Sequence, residues 1–398
     1  MGKVSLFILD GFGIGAMRDC AIVKPEDIDA NTYQHLKEAS GLNIPFLYDS
    51  GLNQLADGIG IPAAAYGKSN LAHDGADTFM GHQELMGSRP GVPKKRLMRE
   101  VSGRIKSELI KNGYSAEHPI SEAPLLLING CIVIGDNLES SPGNIINLIC
   151  DLNLISFEEA SEIARVVRSC IDTSRVIVFG NKKTSIKKIL SVVMNKPTGQ
   201  WGVDSPNAHV YGKGYHVLHL GFGVNYSRQF AHLAERIGLP VYRIGKTADV
   251  VQAKGFSDPA VETAKVLESF EHHYRNAEKN AIFLINVQET DLAGHKEDSE
   301  WYRSVLEESD SFLAAFRNLL EDDDLLIVTA DHGNDPTIGH SNHTREQTPI
   351  LVMGNKVKPV PIGERETMAD IAATMAEYAN IPAPEYGKSF LKEILNVN

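Results

Sequence analysis

Short apolar runs rich in branched side chains recur along the chain, separated by stretches whose apolar positions repeat at helical spacing. That alternation predicts an α/β fold, a mainly parallel sheet with helices on both faces. Three runs, 4–9, 281–286 and 325–330, each lead into acidic or imidazole side chains: Asp10, then Asp291 and His295, then Asp331 and His332. Ligands of open α/β sheets bind beyond the carboxyl ends of the strands, so the three runs should aim these side chains into one region. Apolar stripes over 258–274 and 301–320 predict helices lying on the sheet, and 367–370 reads as a capping box ahead of a third stripe, Met368, Ile371, Met375 and Tyr378.

The middle of the chain breaks this rhythm. Residues 96–218 hold a basic start, paired apolar runs at 125–127 and 132–134, a helical segment near 157–171, a strand at 176–179 and a Gly- and Asn-rich stretch. The polar motifs lie on either side of this region and not within it. The expected organisation is therefore a core made of 1–95 and 219–398, with 96–218 inserted as an α/β cap domain.

Composition narrows the functions. Hydrophobic content of 42% and charged content of 23% are those of a globular protein. A net charge of −12 over 398 residues, with no long basic run, argues against a nucleic-acid surface. An acidic chain that binds phosphate esters must neutralise them locally, and divalent cations do this. The four cysteines lack CxxC spacing and read as reduced structural thiols. The first apolar run is too short for a signal peptide and no stretch is long enough to span a bilayer, so a cytoplasmic location with no membrane partner is expected.

The densest chemistry is Thr329-Ala-Asp331-His332-Gly-Asn-Asp335, followed by His340 and His343-Thr-Arg345. Carboxylate plus imidazole suits Mn²⁺, Zn²⁺ or Fe²⁺ better than Ca²⁺. Asp291 and His295, four residues apart, form a second cluster, and Asp10 follows a third strand. The glycines at 11, 13 and 15 lack dinucleotide-binding spacing. Thr78, in Gly75-Ala-Asp77-Thr78-Phe-Met-Gly81-His82-Gln-Glu84, is an ordinary loop threonine by composition, and a nucleophile only if a metal lowers its pKa. Two cations held by Asp10, Asp291, Asp331, His295, His332 and His343 would clamp a phosphoryl group.

These motifs, together with Ala30-Asn-Thr32, Gly245-Lys246-Thr-Ala-Asp249 and Glu385-Tyr-Gly-Lys-Ser-Phe390, resemble those of the phosphopentomutases, metal-dependent mutases of the alkaline phosphatase superfamily. The resemblance implies an alkaline phosphatase-like core with an inserted cap, two divalent cations (Mn²⁺ in the family) and a sugar bisphosphate activator. It also implies a phosphomutase, an isomerase that moves a phosphoryl group between hydroxyls of a small phosphorylated metabolite, a sugar phosphate. Carried over by position, Thr78 is the implied phosphoryl carrier and, with Asp10, Asp331 and His332, holds one cation. Asp291, His295 and His343 hold the other. Lys246, Asn207 and Arg345 are the expected substrate contacts. The chain departs from the family at Ala76, where a lysine is usual, and in the four-residue spacing of Asp291 and His295. It also lacks the cap arginines, at 178–181 and 207–211, that grip a pentose phosphate. The alternative reading is a metal-dependent phosphatase or phosphodiesterase acting on a small phosphate ester.

Overall fold

The computed structural model describes residues 2–395. Two compact units divide the chain, one made of 1–90 and 225–398, the other of 91–224. The inserted unit thus extends somewhat beyond 96–218 at both ends.

The first unit is built on one eight-stranded sheet. Its order is Phe256–Asp258, Val241–Gly245, Ile282–Val287, Val4–Leu9, Leu325–Thr329, Thr348–Met353, Ala65–Ser69 and Pro361–Arg365. Every neighbouring pair is parallel except those made by Thr348–Met353, which opposes both of its neighbours. The 330–347 segment that leads into it is a loop and not a crossover helix, so the chain returns in the opposite sense. Val4–Leu9, the fourth strand, is buried along its whole length. Val4, Leu6 and Ile8 enter one apolar core, and Phe7 and Leu9 the other, as a two-residue repeat requires.

Three local expectations change. The helix expected from 258 begins at Thr263 and runs to Asn276, burying Val266, Leu267, Phe270 and Tyr274. Asp258 instead ends the Phe256–Asp258 edge strand, because the residue before a proline is pushed into extended backbone. The second stripe forms Ser299–Phe316, capped by Asp298, and tightens into a single 3-10 turn at Arg317–Leu319. The box at 367–370 does not close. Thr367 Oγ1 accepts from Ala369 N, but Asp370 accepts from Lys388 N, and the helix starts at Ala369.

The second unit has its own six-stranded sheet, ordered His216–Gly221, Arg175–Asn181, Ile145–Asp151, Ile132–Asp136, Leu126–Ile128 and Ala116–Glu117. The helices Met98–Lys111 and Phe157–Cys170 accompany it. All four cysteines are free thiols, three of them buried. Among the described residues, no helix is long and apolar enough to cross a membrane.

Candidate metal centre

The carboxyl ends of three adjacent strands deliver the acidic side chains. Asp10 follows Val4–Leu9, and Gly11 turns the chain with φ of +75°, a conformation that favours glycine. Gly11 N then donates to Asp331 Oδ1 at 3.2 Å. Asp331 and His332 follow Leu325–Thr329. The helix Glu289–His295 follows Ile282–Val287 and carries Asp291 and His295 on one face, four residues apart. Its Thr290 hydroxyl donates to Asp10 O at 2.6 Å and fixes that helix against the first strand.

Two clusters result, Asp10 with Asp331 and His332, and Asp291 with His295 and His343; in each, the candidate ligand atoms all lie within 4.8 Å of one another. His332 Nε2 is 3.4 Å from Asp10 Oδ1 and 3.2 Å from Asp331 Oδ2. His343 Nε2 is 3.3 Å from Asp291 Oδ1 and 3.0 Å from His295 Nε2, while His295 Nε2 is 3.5 Å from Asp291 Oδ2. Ligands about 2.0–2.2 Å from one ion stand roughly 3–3.5 Å apart, so both clusters fit a cation. The clusters adjoin, with the His332 and His343 rings stacked at 3.9 Å between centroids.

Hydrogen bonding supports the same fit. His295 Nδ1 bonds Ser341 O at 2.6 Å, His343 Nδ1 bonds Ala76 O at 2.9 Å, and His332 Nδ1 bonds Gly333 O at 2.9 Å. A carbonyl can only accept, so each Nδ1 carries a proton, and in the neutral ring each Nε2 turns its lone pair to the cluster. His332 Nε2 and both Asp10 carboxylate oxygens are buried with no hydrogen-bond partner, a cost that Lys246 offsets in part at Asp10 and that a bound metal ion would offset at all three atoms. Lys246 Nζ lies 2.7 Å from Asp10 Oδ2 as an ion pair without hydrogen-bond alignment, and 3.2 Å from Asp291 Oδ2.

The electrostatics follow from this crowding. Burial pushes the Asp331 carboxyl up, but His332 and His82 outweigh it and hold the group well below the usual carboxylate range. Burial likewise opposes the charge on Asp291, and Lys246 foremost reverses the effect. Burial pulls the Lys246 pKa down, yet Asp10, Asp291 and Asp331 raise it overall. His295 is raised by its bond to Asp291. His332 is raised because Asp331 outweighs burial, and His343 is lowered by burial and by His332.

Thr78 is the first residue of the helix Thr78–Leu85, whose N-cap Asp77 accepts from Met80 N at 2.9 Å. Its Oγ1 donates to Asp331 Oδ2 at 2.6 Å and receives Lys246 Nζ at 3.0 Å. Glu84, at the far end of this helix, is wholly buried and accepts from Ala72 N, His73 N, Thr367 Oγ1 and Met368 N, tying the Thr78 loop to the sheet edge.

Two of the expected substrate contacts have partners of their own. Every donor of Arg345 is spent: Nε and one NH2 bond reach Asp19, NH1 reaches His73 O and Gly75 O, and NH2 also reaches Leu71 O. Arg345 is therefore a brace for the 71–75 loop and not a free phosphate clamp. Asn207 sits on an exposed turn of the 91–224 unit, where its amide donates to Asp204 Oδ2 at 2.7 Å. His340 joins neither cluster and instead bonds Asp27 at 3.0 Å. The sequence pattern gives no role to Asn334, which donates to Asp291 Oδ1 at 2.8 Å, or to His82 and Asn286. The available signal was Asn286 itself, a polar residue inside an otherwise apolar, fully buried strand.

The chain is 28% identical to a phosphopentomutase of Alkaliphilus oremlandii, across 99% of this chain and 100% of that one. It is 27% identical to a phosphopentomutase of Clostridioides difficile, across 98% and 99%. The fold matches Leishmania mexicana phosphoglycerate mutase, solved at low cobalt concentration, with a TM-score of 0.52, 14% identity, and 98% and 97% of the two chains covered. The metalloenzyme superfamily matches residues 2–383, and the chain belongs to that family.

Proposed function

We propose that this chain is a metal-dependent phosphomutase that moves a phosphoryl group between two hydroxyls of a small phosphorylated metabolite, a sugar phosphate, by way of phosphorylated Thr78. The observation that carries the reading is the placement of Thr78 Oγ1, 2.6 Å from Asp331 Oδ2 and 3.0 Å from Lys246 Nζ, beside two Asp/His clusters.

In this reading Asp10, Asp331 and His332, with Thr78, hold one divalent cation, and Asp291, His295 and His343 hold the second. The two cations, Mn²⁺ by analogy with the family, supply charge neutralisation at the phosphoryl oxygens and lower the pKa of the attacking hydroxyl. Thr78 Oγ1 attacks phosphorus of a sugar bisphosphate activator. The P–O bond to the sugar breaks, the sugar oxygen takes a proton, and Asp331 Oδ2 is the nearest acceptor for the proton that leaves Thr78. The phosphothreonine then passes its phosphoryl group to a free hydroxyl of the monophosphate, and the resulting bisphosphate returns its other phosphoryl group to Thr78. Lys246, kept protonated by three aspartates, steadies the transferring oxygens. The 91–224 unit is proposed as the cap that recognises the sugar. Without the family's arginines, its grip on the substrate phosphate would differ from that of the phosphopentomutases.

Phosphorus NMR of a sugar phosphate panel with Mn²⁺ and a sugar bisphosphate primer tests this. Isomerisation without net phosphate release is expected. Inorganic phosphate released in proportion to substrate loss would instead identify a phosphatase.

A further inference from the structure

We infer that His82, itself held by Asn286, is a positioning residue that sets the Thr78 hydroxyl against Asp331. The inference rests on the reading of Thr78 as the phosphoryl carrier. His82 is only 1% exposed and lies one helical turn after Thr78. Its Nδ1 is 2.8 Å from Thr78 O and 3.2 Å from Asp331 Oδ2. Both are acceptors, so Nδ1 carries the proton. On the other edge of the ring, Nε2 is 3.0 Å from Asn286 Nδ2, which donates to it. The imidazole is thus fixed in one tautomer and gripped from both edges.

What this ring joins matters. Asp331 Oδ2 also accepts from Thr78 Oγ1, at 2.6 Å. His82 therefore closes a circuit between the backbone of the attacking residue and the carboxylate oxygen that its hydroxyl binds. The helix can ride this close because Gly81 precedes His82. A Cβ at position 81 would meet Asp331 O at 2.5 Å. Asn286 adds an independent sign of function. Its Oδ1 is buried with no hydrogen-bond partner, in a strand whose other side chains are apolar, a cost that a purely structural residue such as Leu would avoid. A small displacement of an attacking atom can cost about a hundredfold in rate, so holding Thr78 against Asp331 has catalytic value.

The test uses the full chain with Mn²⁺ and glucose 1,6-bisphosphate as the phosphorylating probe, following phosphate on the Thr78 peptide by mass spectrometry. His82→Leu and Asn286→Leu are expected to slow phosphorylation at saturating probe about a hundredfold. Half-saturation by probe and Mn²⁺ affinity should change less than about threefold. His82→Asn, which keeps an N–H donor near the Nδ1 position, should recover at least tenfold of that loss. If His82→Leu does not fold, His82→Gln, whose amide reaches the Nε2 position and leaves Nδ1 unreplaced, takes its place with the same expected loss. Unchanged rates in the Leu variants, or a loss expressed wholly as weaker Mn²⁺ or probe binding, would overturn the positioning role. A parent enzyme that never phosphorylates Thr78 would overturn the phosphothreonine reading itself, and this inference with it.

Discussion

At the scale of single residues, the two Asp/His clusters were legible because Asp10, Asp331 and His332 directly follow strongly apolar runs and Asp291 and His295 come a few residues beyond a third, whereas His343 stands in a polar loop and is marked only by its motif. Arg345 misleads for a physical reason. Its place in a ligand-bearing motif suggests phosphate, but a guanidinium has five donors, and here Asp19 and three loop carbonyls take them all. Arg345→Lys should therefore lower thermal stability, by about 1–3 kcal/mol, as the fork and its carbonyl contacts are lost. The Michaelis constant of the folded enzyme should stay within about twofold; a large rise without destabilisation would return Arg345 to the substrate. Lys246 is placed differently, with its Nζ facing Asp10, Asp291 and Thr78 together. Lys246→Met should reduce kcat by about a hundredfold or more, read from steady-state kinetics at saturating Mn²⁺.

At the scale of elements, the strands that carry ligands were clear and the pieces that brace them were not. Hydrophobic runs mark Val4–Leu9 and Leu325–Thr329 without ambiguity. The reversed direction of Thr348–Met353 depends on the connection before it, and no periodicity records that. The unclosed box at 367–370 shows a local motif overruled by tertiary partners: Thr367 donates to buried Glu84, and Asp370 turns to Lys388 N. The Thr78–Leu85 helix is placed by Gly81, where an added Cβ would fall 2.5 Å from Asp331 O and 3.1 Å from Asp331 Cβ. Gly81→Ala should cost about 1–3 kcal/mol by overpacking, seen as a lower Tm, and should weaken turnover further by moving Thr78. A variant with parental stability and rate would mean that the helix has room to spare.

At the scale of the whole molecule, the division into a core of two sequence segments and an inserted unit follows from where the polar motifs fall. The insertion's own strands, such as Ile132–Asp136, are visible mainly as apolar runs without chemistry. Cation binding should couple to global stability. At a hundredfold excess over its Kd, a metal bound only by the folded chain adds about 2.7 kcal/mol, and chelation should remove that increment from the melting curve. The pH dependence has a definite sign. His295 and His332 have raised pKa values in the fold, so the protonated imidazoles stabilise it below their ordinary value of about 6.5, and that contribution fades as pH rises through the raised values. The same protons must leave before Nε2 can bind a metal. The metal-induced rise in Tm should therefore grow as pH rises above the ordinary imidazole value of about 6.5. A rise that is flat or shrinks above that value would place the cations elsewhere. The central claim is that Thr78 carries the phosphoryl group in a metal-dependent step. Peptide mass spectrometry after incubation with Mn²⁺ and glucose 1,6-bisphosphate addresses it most directly. The account predicts phosphate on Thr78 that disappears with chelator, together with loss of more than about a thousandfold in turnover for Thr78→Ala; an unmodified Thr78, or full turnover by Thr78→Ala, would contradict it.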